Sequence, residues 1–392
     1  MIALLFIATT ARAATVAEAV HAAAQTAPFD TALWFVLIEE EDGTIVHDRN
    51  AHKLAIPASV RKIFSAAAIA ECLGPATRLQ TELWLDGEDV VIKGGGDPSF
   101  GSDRYYETEA AAFEPFLRAL QQRRVATVRD IIVDVSMFDR ATLPYNWKLG
   151  NITAGVAAPV DAITWSENAI ESHAVASAGH FAGLAFHEVL AENGIAVSGR
   201  VRVADEPRSW QERVAVVESP FVYEMLAAVL KPSQNLFAET LYKRMSAWGE
   251  EPASYDASFD REKTFLTGTA GLDPATFRFV DASGLAPDDL VTPAAIVRML
   301  RWMNEPSRRE IWWNLLAEPG SEEGTLRRRL VLLAPRVRAK TGTVAGVASL
   351  AGVIAGRNGA FRYFAVIVNH HLGSSFAAGN LIDSIVEAAA DF

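Results

Sequence analysis

The sequence predicts a mixed α/β protein in which a separate α/β lobe is set into a helix-rich body. Three observations predict it. A strand hairpin and an alanine-rich apolar helix stand near the start, the texture changes between residues 76 and 219, and long helical patterns then return before a final run of strands. With 392 residues the chain exceeds one ordinary domain, and 50% apolar against 21% charged residues is enough to bury a core.

Residues 1–10 are apolar up to two threonines, and Ala11-Arg12-Ala13 follows as an A-x-A cleavage pattern. Residues 1–13 therefore read as a secretory signal peptide cut before Ala14, although no basic stretch precedes the apolar run. No later segment offers the ~18 uninterrupted apolar residues of a membrane span. A soluble, exported mature chain is expected.

A helical pattern over 15–27 leads into a strand-like run at 31–38. Glu41-Asp42-Gly43 signals a turn, and 44–47 can return as the second strand of a hairpin. Pro57-Ala58-Ser59 opens the alanine-rich run, read as a buried helix stopped by Gly74-Pro75. Across 76–219, strand-like pieces at 81–85, 90–92 and 131–135 alternate with helical ones at 109–122 and 179–193. From Pro220 helices return, with Thr292-Pro293 as N-cap and first-turn residue for 294–302. Strands at 347–354 and 361–368 and a helix over 376–390 complete the chain.

A formal charge of −12 argues against a nucleic-acid partner, whose phosphates need clustered Lys and Arg. It leaves room for a cleft with locally placed cations. The single cysteine, Cys72, excludes an intrachain disulfide and reads as a small buried core residue. Gly94-Gly95-Gly96 lacks the Gly-Lys-Ser/Thr ending of a phosphate loop and reads as a turn closing a strand. His370-His371 reads as a surface or strand-end pair, Glu39–Asp42 as a solvated acidic turn, and Trp312-Trp313 as packing.

The chemistry starts at Ser59 and Lys62. Three residues apart on a helix, they share one face, and a serine at the helix start has backbone N–H groups and the positive dipole end beside it. Serine is a weak nucleophile that needs an adjacent base, and lysine can be that base when buried and partly neutral. Lys62 alone among the lysines has a serine three positions before it. Lys340-Thr341-Gly342-Thr343 stands directly before an alternating run and is expected on a strand edge, where backbone groups suit an extended peptide and the ammonium its terminal carboxylate. The glycine leaves room for close approach. Ser233-Gln234-Asn235 supplies a second hydroxyl and an amide. The same S-x-N pattern occurs at Ser166-Glu167-Asn168; Ser233 is favoured because the helical run 236–245 follows it.

The order S-x-x-K, S-x-N, K-T-G is the serine β-lactamase and penicillin-binding-protein set. Over nearly the whole mature length the chain resembles the low-molecular-mass class C penicillin-binding proteins, the D-Ala-D-Ala carboxypeptidase/endopeptidase family related to penicillin-binding protein 4. Besides the three motifs, the resemblance includes Leu73-Gly74-Pro75, Gly94-Gly95-Gly96-Asp97-Pro98, Asp281-Ala282-Ser283-Gly284-Leu285 and Gly324-Thr325-Leu326. It implies a transpeptidase-like fold, an antiparallel sheet packed with helices, built from 14–75 and 220–392, with 76–219 as an inserted lobe. It implies a periplasmic or otherwise extracytoplasmic hydrolase that needs no cofactor or metal. Peptidoglycan stem peptides would be its substrates and β-lactams its covalent inhibitors.

By the same resemblance Ser59 is the acylated nucleophile, Lys62 its base, and Ser233 the relay to the leaving D-alanine nitrogen. Asn235 binds the substrate amide, Lys340 and Thr341 hold the terminal carboxylate, and the N–H groups of Ser59 and Thr343 form the oxyanion hole across Gly342. Asp281, Ser283 and Gly284 form a loop near the cleft, expected to be mainly structural. Burial, with Lys340 nearby, is expected to lower the pKa of Lys62. Two departures stand out. Gln234 replaces the usual aspartate, with its side chain expected to point away from the cleft, and the short stretch between the first and second motifs implies loss of the inner of two nested insertions. Two rival readings are a β-lactamase, against which the lack of a Glu-x-x-Leu-Asn string counts, and a non-catalytic penicillin-binding scaffold, against which the intact motif set counts.

Overall fold

The computed structural model describes residues 14–153, 155–249 and 251–391, so the expected signal peptide at 1–13 lies outside the described residues. One five-stranded sheet runs in the order Val337–Val344, Val347–Ala355, Phe361–Asn369, Leu33–Glu40, Ile45–Arg49, with every neighbouring pair antiparallel. The two ends of the chain thus meet in one sheet. Val347–Ala355 and Phe361–Asn369 are covered on both faces and are accordingly almost continuously apolar, whereas the edge strand Ile45–Arg49 is polar and exposed.

Strand alternation sorts the side chains into two cores. Phe35, Leu37, Ala351, Val353, Ala365 and Ile367 face helices Lys62–Leu73, Val222–Leu230, Asn235–Arg244 and Pro293–Met303. Val36, Ile38, Leu350, Ile354, Val366 and Val368 face the first and last helices, Val16–Gln25 and Ser375–Ala389. Capping fixes the helix ends as the sequence indicates. Thr15 and Glu18 form a capping box, Thr292 accepts from the Ala295 N–H, and Gly74 ends its helix at φ +82°.

A second five-stranded sheet, in the order Val201–Ala204, Ile131–Asp134, Asp89–Lys93, Arg78–Asp86, Glu212–Phe221, is mixed. Its first three strands are mutually parallel and the rest antiparallel. Its separate core is built around Phe100, Phe113, Phe116, Trp165 and Phe186, with Phe113 stacked on Trp165 at 4.3 Å.

Three local expectations are corrected. The helix expected over 109–122 starts as a 3-10 turn, Glu109–Phe113, and becomes α-helical only at Glu114–Gln122; Pro115 lacks the N–H that a continuous α ladder would require. The acids of the first hairpin are not simply solvated, because Glu39 pairs with Arg301, Glu40 with Arg362, and Glu41 accepts from the Phe361 N–H. Cys72 is half-buried at the rim of the core, where the helix turns outward before Gly74. His371 is buried just past its strand end while His370 is exposed, and Trp313 packs edge-on against Phe361.

Candidate active site

Ser59 sits in a 3-10 turn, Ala58–Arg61, that runs directly into the helix beginning at Lys62. The nucleophile therefore precedes the α-helix rather than lying within its first turn. The geometry still brings the two side chains together, with Lys62 Nζ 3.0 Å from Ser59 Oγ. Ala58 takes φ +48° to set this turn, a left-handed conformation that costs energy for a residue with a Cβ. The S-x-N turn carries the same signature, with Ser233 at φ +70°.

Two segments close on the nucleophile turn through glycines. A Cβ on Gly342 would lie 2.3 Å from Ser349 Oγ, 2.7 Å from the Pro57 oxygen and 2.9 Å from the Ser59 nitrogen. One on Gly284, which takes φ +82°, would lie 2.0 Å from the Ala58 oxygen. No side chain fits at either contact.

Lys62 is fully buried and donates to three oxygens: Ser59 Oγ, Asn235 Oδ1 at 2.6 Å and the Ser283 carbonyl at 2.8 Å. The last two can only accept. A neutral amine has two N–H bonds and one lone pair. With both N–H bonds directed to those acceptors, the lone pair faces the Ser59 hydroxyl. Burial pushes the pKa of Lys62 down to about 7, against the opposing pull of Asp281, Glu239 and Asp289. Arg61 adds to the lowering, and Lys340 and Lys62 also repel each other, a repulsion that shows as a lowering of Lys340.

The Ser283 carbonyl belongs to the loop expected to be structural, and it touches the base directly. That loop is held from within and below. Asp281 accepts from the Gly284 and Ala286 N–H groups, and Glu239 accepts from those of Ala282 and Ser283. Glu239 is fully buried, and burial followed by the charge of Asp281 raises its pKa to about 8. Arg61 anchors the same loop through the Asp281 carbonyl and pairs bidentately with Glu262 at 2.6 and 2.7 Å.

Of the two S-x-N triplets, Ser233-Gln234-Asn235 lies at the site; Ser166 is bonded to Glu109 and lies away from it. Ser233 Oγ accepts from Lys340 Nζ at 2.8 Å, and Gln234 points instead to Glu167, at 2.5 Å. Lys340 is fully buried and also donates to the Thr341 carbonyl. Burial, then Lys62, holds its pKa well below that of free lysine. Lys340, expected to offer its ammonium to a carboxylate, is thus buried and partnered with Ser233. Thr341 Oγ1 meets Thr325 Oγ1 at 2.6 Å, which brings the Gly324-Thr325-Leu326 segment to the same strand.

Val337–Val344 is the outer strand of its sheet. Ala339 turns its N–H and C=O outward to Ala317, and in an antiparallel ladder alternate residues face alike. The backbone groups of Thr341 and Thr343 therefore face the open edge beside Ser59. Ser59, Ser233 and Asn235 are partly exposed and Thr343 is exposed, while both lysines lie beneath. The arrangement can acylate a partly exposed serine with a buried neutral amine as base, next to a strand edge able to pair with an extended peptide.

The similarities agree with this chemistry. A carboxypeptidase of Mycobacterium tuberculosis is 28% identical over 337 residues, 80% of this chain and 71% of its own. A D-alanyl-D-alanine carboxypeptidase of Actinomadura is 25% identical over 427 residues, 86% of this chain and 78% of its own. The fold superimposes on penicillin binding protein 4 of Haemophilus influenzae with a TM-score of 0.84, at 18% identity, over 95% of this chain and 99% of that one. The model of the D-Ala-D-Ala carboxypeptidase 3 (S13) family matches residues 16–181 and 166–392, and the chain belongs to that family.

Proposed function

We propose that the protein is a serine D-Ala-D-Ala carboxypeptidase and endopeptidase acting on peptidoglycan stem peptides through an acyl-enzyme on Ser59. The observation that carries this is Lys62 Nζ lying 3.0 Å from Ser59 Oγ and bonded to the pure acceptors Asn235 Oδ1 and Ser283 O, so that in the neutral amine the lone pair is left for Ser59. In the reaction Lys62 takes the Ser59 proton as Oγ attacks the carbonyl of the penultimate D-alanine. The N–H groups of Ser59 and Thr343 receive the oxyanion. Collapse breaks the peptide C–N bond, and the departing amine takes its proton through Ser233, whose oxygen is held by Lys340. Water then repeats the sequence on the ester and frees Ser59.

Thr341 and Lys340 meet the terminal carboxylate. An arriving carboxylate favours the charged form of Lys340, against the lowering that burial imposes. A β-lactam would acylate Ser59 in the same way, but its leaving nitrogen stays tethered and hinders deacylation. On this reading residues 14–75 and 220–392 act as the catalytic domain and 76–219 as an inserted lobe that has lost the family's inner insertion, so substrate selection in the intact sacculus differs. Because peptidoglycan lies outside the cytoplasmic membrane, export goes with this reading. Among the described residues no helix is long and apolar enough to cross a membrane.

Digestion of purified peptidoglycan, with products identified by mass, tests the proposal. Release of terminal D-alanine or scission of D-Ala cross-links by the wild type, and neither by Ser59→Ala, is the expected result. Intact muropeptides after prolonged incubation would defeat it.

A further inference from the structure

Both acceptors that orient Lys62 are backed by one segment of the second lobe. Behind Asn235, the Val156 carbonyl accepts from Nδ2 at 2.7 Å. With Oδ1 taken by Lys62 and Nδ2 by a carbonyl, the amide cannot flip, because a flipped amide would set two donors together and two acceptors together. Behind Ser283, the Trp147 indole donates from Nε1 to Asp281 Oδ2 at 2.9 Å. That is the carboxylate oxygen that also accepts from the Ala286 N–H, while its partner oxygen holds the Gly284 N–H.

The segment carrying both contacts is itself tied down. Lys243 donates to the Asp139 and Ala141 carbonyls, Asn146 bonds Asp288, and Gly155 packs against the Ser172 carbonyl. A Cβ on Gly155 would come within 2.1 Å of that oxygen, at φ +69°.

We infer that residues 139–153 and 155–156 form a brace from the inserted lobe, in which Trp147 and the Val156 carbonyl are positioning groups for the acylating base, acting through Asp281 and Asn235. Neither touches Lys62. Each fixes one of the two acceptors that consume its N–H bonds, so the brace determines where the lone pair points. The lobe then contributes to the rate of acylation and not only to the choice of substrate. This rests on the reading that Ser59 is acylated with Lys62 as base.

Trp147→Phe keeps a ring in a half-buried place and removes only the N–H donor, while Trp147→Ala removes both. Gly155→Ala displaces the turn carrying the Val156 carbonyl without changing any side chain at the site. Acylation by a fluorescent penicillin, followed against its concentration, separates the binding constant from the rate constant at saturation, and thermal melting reports folding.

Trp147→Phe is expected to melt like the wild type, Gly155→Ala to melt lower because its methyl meets a backbone oxygen at a positive φ, and all three to stay folded and keep the wild-type binding constant. Their saturating acylation rate is expected to fall about 10- to 100-fold, the scale of a misaligned reacting group. Trp147→Phe matching the wild type while Trp147→Ala is slow would mean that the ring matters and the donor does not, and would overturn the inference. So would a loss confined to the binding constant. An unlabelled wild type would remove the acylation reading and this inference with it, whereas a labelled wild type beside an equally fast Trp147→Phe would remove this inference alone.

Discussion

Titration of Lys62 should set the pH dependence of acylation. Burial brings its pKa from 10.5 to about 7, so the neutral base is about half populated at pH 7 and about a tenth at pH 6. Below neutrality the acylation rate should drop about tenfold for each pH unit, and above pH 8 it should level off. Stopped-flow acylation by a fluorescent penicillin, at saturating concentration and from pH 5 to 9, measures this directly. The control is Lys62→Ala. Holding a buried amine against a shift from 10.5 to about 7 costs about 5 kcal/mol at low pH. Deleting the side chain relieves that cost but leaves Asn235 Oδ1 and the Ser283 carbonyl without a donor, about 1–3 kcal/mol each. The two effects are of similar size, so the variant should fold and melt near the wild type while its acylation falls about 10³-fold or more. A rate that is flat from pH 5 to 9, or a rising limb near pH 10, would refute the neutral-amine mechanism, as would normal acylation by a folded Lys62→Ala.

Three further outcomes follow from the same geometry. Arg61→Met strands Glu262 in the core and should cost about 3–5 kcal/mol in urea unfolding, whereas Arg61→Met with Glu262→Gln should recover much of the loss because no unpaired charge remains. Gly342→Ala forces a methyl into Ser349, Pro57 and Ser59, so acylation should fall about 10²-fold with the far-ultraviolet circular dichroism unchanged. Glu239 is raised from 4.5 to about 8, so the folded chain keeps a proton there that the unfolded chain has shed. Its stabilisation is full below pH 4.5 and is lost as pH rises towards 8, at up to about 1.4 kcal/mol per unit. Glu239→Gln should flatten that slope, and an unchanged difference in melting temperature between pH 5 and 7.5 would count against this assignment.

What the sequence made legible was local or periodic. Ser59 and Lys62 are joined by one helical turn, the S-x-N turn precedes a recognisable helix, and Lys340 precedes an alternating strand, so each piece could be read without knowing the others' positions. Backbone partners were not legible. The Ser283 and Val156 carbonyls carry no side-chain signature, and Asp281-Ala282-Ser283-Gly284 hinted at its role only through a glycine that proves to need a positive φ. Direction was also hidden. Lys340 could be placed on a strand edge, but its burial against Ser233 depends on which face of the strand meets the helix of Asn235. Arg61 was overlooked because it lies inside the first motif, as one of its variable positions, and its partner Glu262 is two hundred residues away.

The low pKa of Lys62 is the less expected because three acids stand near it and each would stabilise an ammonium. Burial is the largest influence on Lys62 and outweighs all three acids, and it acts on two of those acids as well. Glu239 is raised to about 8 and Asp289 well above the usual carboxylate range, by the same lack of water. A dry cluster thus disfavours the charged forms of the acids and of the base alike. Admitting water would ionise the acids first, and the restored negative charge would then lift Lys62 away from 7. A variant could keep every residue of the three motifs and still lose activity at neutral pH, simply by wetting the buried acids around Lys62.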